Sequence, residues 1–306
     1  MANTSNTTLS TDFNVSPYYD DYDTSKEFYR ILYKPGYAVQ ARELTQSQTI
    51  LQKQVARVGT HLFKEGSMVV PGTFGIYTAN STSGPVYYVK VNDVDSSNTA
   101  VSIDNFLNQT VTGQTTGIKA EISDILDGTQ SSSNTKTIYV DYRNVSNSNS
   151  DIKTFQSGEI LTCNAGTLVV HSTDPTGEGS AFTISEGVFY AKEHFIHFPT
   201  QRIILDRYNN SPSCRVGFTL LEEIITSSDD QSLLDPALES SNYSAPGADR
   251  LKLNAVLTVK PYNETETSAD FITLVTIDDG IITKSMQRPQ YNILRSEEHT
   301  SELQSH

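Results

Sequence analysis

No tryptophan occurs in these 306 residues, and there are only two cysteines, Cys163 and Cys214. Two thiols make no disulfide framework, so the fold has to stand on a packed core, and both are expected as buried free thiols. No run approaches the ~18 apolar residues needed to span a bilayer. The N-terminus MANTSNTTLSTDF has neither the basic nor the apolar region of a secretory signal. Basic residues are few: 22 Lys and Arg stand against 36 Asp and Glu, a net charge of −14 with no basic cluster. That balance argues against nucleic acid as a partner, because a phosphate-binding surface works through clustered Lys and Arg. The sequence patterns of turnover are missing too, with no GxSxG elbow, phosphate loop, dinucleotide glycine fingerprint, HExxH or CxxC. The chain is therefore expected to hold no catalytic residues, no cofactor and no metal, and to engage neither nucleic acid nor membrane.

The few groups that invite a ligand reading have simpler explanations. Asp20, Asp21 and Asp23 lack the glycine and the bidentate glutamate that a calcium loop needs at fixed offsets. They suit the positive end of a short helix over 25–32 instead, opened by a Thr24/Glu27 capping box. His194 and His197 form the only close histidine pair, but their odd spacing in a strand sends them to opposite faces. Arg250 beside Asp249 reads as fixing a turn. Paired carboxylates for glycan cleavage are defined by separation in space, which sequence does not supply.

What the chain does have is one helical stripe and many short strands. In QARELTQSQTILQKQVARVGTHLF, Gln40 to Phe63, the residues Leu44, Leu51, Val55, Val58 and Leu62 recur at intervals of seven, four, three and four. A narrow apolar seam with a polar remainder is the pattern of a helix that pairs with another helix, although a helix lying on its own sheet shows a similar stripe. Gly59 is expected to break the helix near Val58. From Gly66 onward the period becomes two. Strands are expected at 68–70, 74–77, 86–91, 100–103, 118–122, 137–142 and 160–161 with 168–171. Further strands follow at 189–190, 195–196, 202–205, 214–225 and 251–259, joined by Asn/Ser/Thr-rich turns. Pro246-Gly247 is expected as a turn. FLNQTVTGQTTG from Phe106 and FQSGEILTCNAG from Phe155 share enough to suggest two similar hairpins.

The expected class is mainly β: an N-terminal helical segment, made of a short helix plus a long amphipathic one, then two antiparallel sandwich- or barrel-like domains. The expected divisions are a disordered tail (1–12), a helical attachment and oligomerisation segment (13–66), and β domains at 67–180 and 181–294. The last twelve residues, RSEEHTSELQSH, read as an in-frame translation of a sequencing adapter. They are expected to be foreign (295–306), with the native protein truncated at that point.

Three segments running from Phe13 to Pro261, with PGYAVQARELTQSQTILQ and NYSAPGADRLKL as their most specific parts, resemble a domain-of-unknown-function family of tailed-phage virion proteins. Members are often labelled structural or tail-fibre proteins. The resemblance implies assembly at a phage tail or baseplate, with no catalytic residues to carry over. Fibre proteins are commonly homotrimers, so it also implies that Leu44, Leu51, Val55, Val58 and Leu62 form a self-association seam. The competing expectation is a receptor-binding or glycan-cleaving module at a fibre tip.

Overall fold

The computed structural model describes residues 9–129, 133–143, 153–264, 270–286, 289 and 291. The expected foreign tail at 295–306 lies outside them. Among the described residues one α-helix, α1 (Ala41–Leu62), precedes sixteen strands that form three antiparallel sheets. None closes into a barrel, correcting that part of the expectation. In the largest sheet the two ends of the strand path stay unpaired with each other, so its edges remain open.

A three-stranded sheet joins β1 (Ser67–Val70) to the hairpin of β10 (Gly187–Ala191) and β11 (His194–Phe198). The nine-stranded sheet begins at β12 (Gln201–Asp206), which pairs with β9 (Thr176–Ile184); β2 (Phe74–Tyr77) also pairs with β9. From β9 it continues through β3 (Val86–Lys90), β6 (Thr137–Tyr142), β5 (Lys119–Leu126), β4 (Thr110–Gly113), β7 (Ile160–Cys163) and β8 (Gly166–Val169). The third sheet orders β14 (Arg250–Pro261), β13 (Cys214–Ile225), β15 (Phe271–Asp278) and β16 (Ile281–Ser285).

Among the described residues two large apolar cores result, with a small third cluster of Val86, Tyr88, Tyr139 and Ala181. One gathers Val89, Phe106, Val111, Ile122, Phe155 and Leu168 among others, all from the stretch between β3 and β8. The other draws on both sides of that stretch, with Met68, Phe182, Phe189, Phe198, Phe218 and Leu274 packed together. The boundary expected at 180/181 falls inside β9, and the first-core segment sits in the chain like an insertion between β2 and β9. Cys214 is buried against the second core and Cys163 is half-buried beside the first; both are free. Burial pushes the Cys214 thiol up to about 11.

The two similar hairpins are present and adjacent, β4–β5 and β7–β8, joined because β4 pairs with β7. Phe106 and Phe155, the opening residue of each repeat, are both buried in the first core. Its sharpest polar joint is Glu159, only 3% exposed, whose Oε1 accepts from Thr115 N–H, Thr116 N–H and Thr116 Oγ1 at 3.0, 2.7 and 2.8 Å. One carboxylate at the start of the second hairpin thereby closes the turn of the first.

Four local expectations fail for stated reasons. No helix spans 25–32; a 3-10 turn over Thr24–Lys26 ends where Glu27 turns left-handed at φ 55°. A helix of two turns is marginal without a surface to pack on, and none is offered here. Residues 100–103 make no strand: Ala100 forms an isolated bridge with Val94, and Ile103 opens a 3-10 turn that buries Ile103 and Phe106. Pro246 bridges Leu234 rather than turning, and Gly247 N–H donates to Leu233 O at 2.9 Å. A Cβ on Gly247 would lie 2.5 Å from that oxygen, so the glycine permits close approach.

The helix also does not break at Gly59. It continues to Leu62 because Gly59 is where Tyr190 packs: an added Cβ would lie 2.4 Å from Tyr190 Cε2. The ring cannot retreat, since its hydroxyl donates to Ala56 O at 3.0 Å and is paired with Thr60 Oγ1 at 2.6 Å. Gly59→Ala would gain ~1 kcal/mol of helix propensity but meets an overpacking cost of about 1–3 kcal/mol. Equilibrium denaturation should show a net loss; a gain near 1 kcal/mol would mean that Tyr190 yields.

Candidate self-association surface

The chain reaches α1 along a strap of side-chain anchors. Ser10 N–H, Thr11 N–H and Thr11 Oγ1 all donate to the Glu222 carboxylate on β13 at 2.7–3.0 Å, so these two residues, expected within the free tail, are held to the body. Tyr18 Oη donates to Asp249 Oδ2 at 2.7 Å just before β14. Asp20 accepts from Thr49 Oγ1 at 2.5 Å, and Asp21 accepts from Gln46 and Arg42, which ties the strap to the first turns of the helix. The third aspartate, Asp23, caps the 3-10 turn by accepting from Ser25 N–H at 2.8 Å, and that bonding holds its carboxyl below the usual range. All three aspartates thus bond to protein groups.

An arm then leaves the surface. Residues 28–39 are exposed throughout except Ile31, which is half-buried, and they carry no regular secondary structure beyond the turn at Lys34-Pro35-Gly36. There Gly36 takes φ +83° and Tyr37 N–H donates to Lys34 O at 3.3 Å, as a Pro-Gly turn requires. The chain returns at Gln40, whose N–H donates to Glu43 Oε2 at 2.9 Å and caps α1.

α1 is held to the body by its polar side. Ile50, Ala56 and Gly59 are buried there, and Gln46, Thr49, Lys53 and Thr60 make the bonds around them. At 3.6 residues per turn, Leu44, Leu51, Val55, Val58 and Leu62 fall on the opposite face. The first four are 52–64% exposed; Leu62 is half-buried at the helix end. Beyond it Phe63 packs on Tyr190, Phe195 and Tyr291 with ring centroids 5.7–6.3 Å apart.

The partner of the polar side is the β10–β11 hairpin, whose two turn residues Lys192 and Glu193 both have positive φ, 48° and 65°. Such a turn favours Asn-Gly, and non-glycine residues persist there only when their surroundings hold them. Here each is held. Glu193 Oε2 meets Lys53 of α1 at 2.6 Å. Lys192 Nζ reaches Glu222 at 2.7 Å and Asp270 at 2.5 Å, while its own N–H donates to Glu65 Oε1 at 2.7 Å. Burial by itself would raise the Glu222 carboxyl, but Lys192 and the Ser10 and Thr11 donors outweigh it and hold it down to about 2. Burial also penalises the Lys192 ammonium, yet Asp270 and Glu222 outweigh that and raise its pKa.

Of the residues weighed for chemistry, His194 and His197 lie on opposite faces of β11, with His194 Nδ1 2.7 Å from Lys192 O. Among the described residues no group of three His, Cys, Asp or Glu could hold a metal ion. Arg250 donates to Ala248 O at 2.6 Å. Glu222 and Lys192 went unnoticed in sequence, and Asp249 was read only as fixing a turn with Arg250, not as the acceptor for Tyr18; only the Lys-Glu pair between two aromatic-rich runs could have marked the turn that positions Lys192.

Residues 16–104 and 142–300, well over half of the chain, match the family model of the domain of unknown function DUF4815. The chain belongs to this family. The DUF4815 match takes in the arm, all of α1, the β10–β11 hairpin and both distinctive segments, PGYAVQARELTQSQTILQ and NYSAPGADRLKL. It leaves out 105–141, which holds β4, β5 and most of β6, and it runs past Leu294 to residue 300. The family description assigns no activity, so DUF4815 membership brings no site residues with it. No curated protein and no solved structure matches the chain.

Proposed function

We propose that this protein is a non-enzymatic structural subunit of a tailed-phage virion, a tail-fibre or baseplate component that acts by homo-oligomerising and docking to other virion proteins. The observation that carries the self-association is the outward stripe. Leu44, Leu51, Val55 and Val58 stay more than half exposed on a helix whose other face is bonded to the body. Exposed apolar surface rimmed by polar residues is the kind that marks protein–protein contact sites. The virion setting is supported by the resemblance carried by PGYAVQARELTQSQTILQ and NYSAPGADRLKL. A homotrimer about the stripe is the arrangement proposed, each copy adding one helix to a shared axis.

Light scattering and sedimentation of the full chain test this. Removing one buried Leu or Val side chain from a contact forfeits ~1.5–3 kcal/mol, and placing a carboxylate there adds to the loss. Leu51→Asp or Val55→Asp should therefore weaken association by about a hundredfold or more. Both positions are exposed, so the fold of the single chain should be unaffected. A wild-type chain that stays a monomer at high concentration, indifferent to both substitutions, would remove the proposal.

A further inference from the structure

We propose that the arm at 28–39 is exchanged between subunits, each arm lying over the helix stripe of a neighbouring copy. This inference rests on the self-association reading and specifies its contact: each stripe is covered by a neighbour's arm rather than by another stripe.

Among the described residues the arm carries a dense run of exposed large apolar side chains. Phe28, Tyr29, Leu32, Tyr33, Tyr37 and Val39 are 49–75% exposed. Its two ends are fixed close together: Asp20 and Asp21 bond to Thr49, Gln46 and Arg42 on α1, and Gln40 caps the start of that helix. It is thus an out-and-back loop planted beside the first turns of the helix. At ~3.3 Å per extended residue, each leg of about six residues can reach some 20 Å, about twice the ~10 Å width of a helix. Within one chain the arm leaves the stripe open and the stripe leaves the arm open.

Scaling the ~150–250 Å² of a large side chain by these exposures gives open apolar surface on the order of 1,000 Å² per chain, arm and stripe together. A stable interface takes about 800 Å² from each partner. The stripe alone supplies only about a third of the surface, so helices meeting at an axis would leave the arms in water. Exchange covers both at once. In a closed ring every arm finds a stripe and no further protein is needed.

The test uses two full-length populations of different tag size, both carrying Cys163→Ser; Cys214 is buried, so its thiol stays out of the reaction. One carries Tyr33→Cys in the arm and the other Gln48→Cys at the exposed seam position of α1. After mixing and mild oxidation, exchange yields disulfide-linked pairs containing both tags. Links confined to Gln48→Cys pairs, in a sample that still scatters as an oligomer, would overturn exchange while leaving the helix seam standing. No links and the mass of a single chain would overturn both.

A second variant removes dependence on cross-linking. Leu32→Ser with Tyr37→Ser should raise the dissociation constant at least about tenfold, with the unfolding midpoint of the dilute monomer unchanged. An unaltered dissociation constant would sink the proposal. So would a chain that stays monomeric and whose arm is protected only on phosphatidylcholine/phosphatidylglycerol vesicles, since the arm would then be a lipid contact.

Discussion

Lys192→Met should destabilise the protein by about 3–5 kcal/mol, because it leaves a buried carboxylate without its cation. The Lys192 and Glu222 side chains are only 4% and 6% exposed and meet at 2.7 Å. Methionine fills the space of the lysine stem but cannot neutralise Glu222, whose remaining donors are Ser10 and Thr11 of the strap. At roughly 2–4 °C per kcal/mol for a domain of this size class, the unfolding midpoint should fall by about 6–20 °C. A drop under 2 °C in calorimetry would show that water reaches the pair freely.

The same cluster sets an acid limit. Glu222 is held at about 2, below its ordinary value of 4.5, so its contribution to stability is present above pH 4.5 and is lost as the pH falls towards 2. The shift corresponds to something on the order of 3 kcal/mol. Lys192 is raised above its ordinary 10.5, so its contribution holds through neutral pH and is lost only as the pH climbs past that folded value. Comparing urea unfolding of the wild type with Glu222→Gln, the gap should narrow steadily from pH 5 to pH 2. A gap that stays constant would mean that Glu222 titrates normally.

Phe218→Ala should be comparably damaging for a different reason. Phe218 stacks on Phe189 with centroids 5.1 Å apart and meets Phe198 at 4.6 Å, while Phe189 and Phe198 lie 5.9 Å apart. All three are fully buried and come from β10, β11 and β13, so this trio is where the small sheet that carries the helix meets the third sheet. Truncating such a ring costs about 3–5 kcal/mol, and the lost ring pairs add about 0.5–1.5 kcal/mol. Phe218→Leu should recover most of that. If alanine and leucine proved equally mild in denaturant melts, the trio would be peripheral to the joint.

Strands whose side chains announce their burial were readable in sequence. β6 and β13 lie at the residues expected, and β14 shows Ala255 and Leu257 buried with Lys252 and Val256 exposed. β9 was not readable, because its glycines hide it. A Cβ on Gly177 would meet Tyr88 Oη at 2.5 Å, and one on Gly179 would meet Arg207 O at 2.8 Å, so the strand is central because it makes room for its neighbours. β15 and β16 were passed over although Asp279-Gly280, with φ 46° and 73°, is the hairpin signal that joins them.

The helix divides in the same way. Its capped start and its apolar stripe follow from residues within one stretch of chain, since helical period and capping are local properties, whereas its run past Gly59 to Leu62 goes with the packing of Tyr190. The direction the stripe faces does not. A stripe on the helix would ordinarily turn inward, but here Asp20, Asp21, Tyr190 and Glu193, up to about 140 residues away in sequence, bond the polar side and leave the apolar side in water. Hydrogen bonds and ion pairs between distant residues exist only once the sheets are assembled, so tertiary structure alone decided which face of α1 is open to a partner.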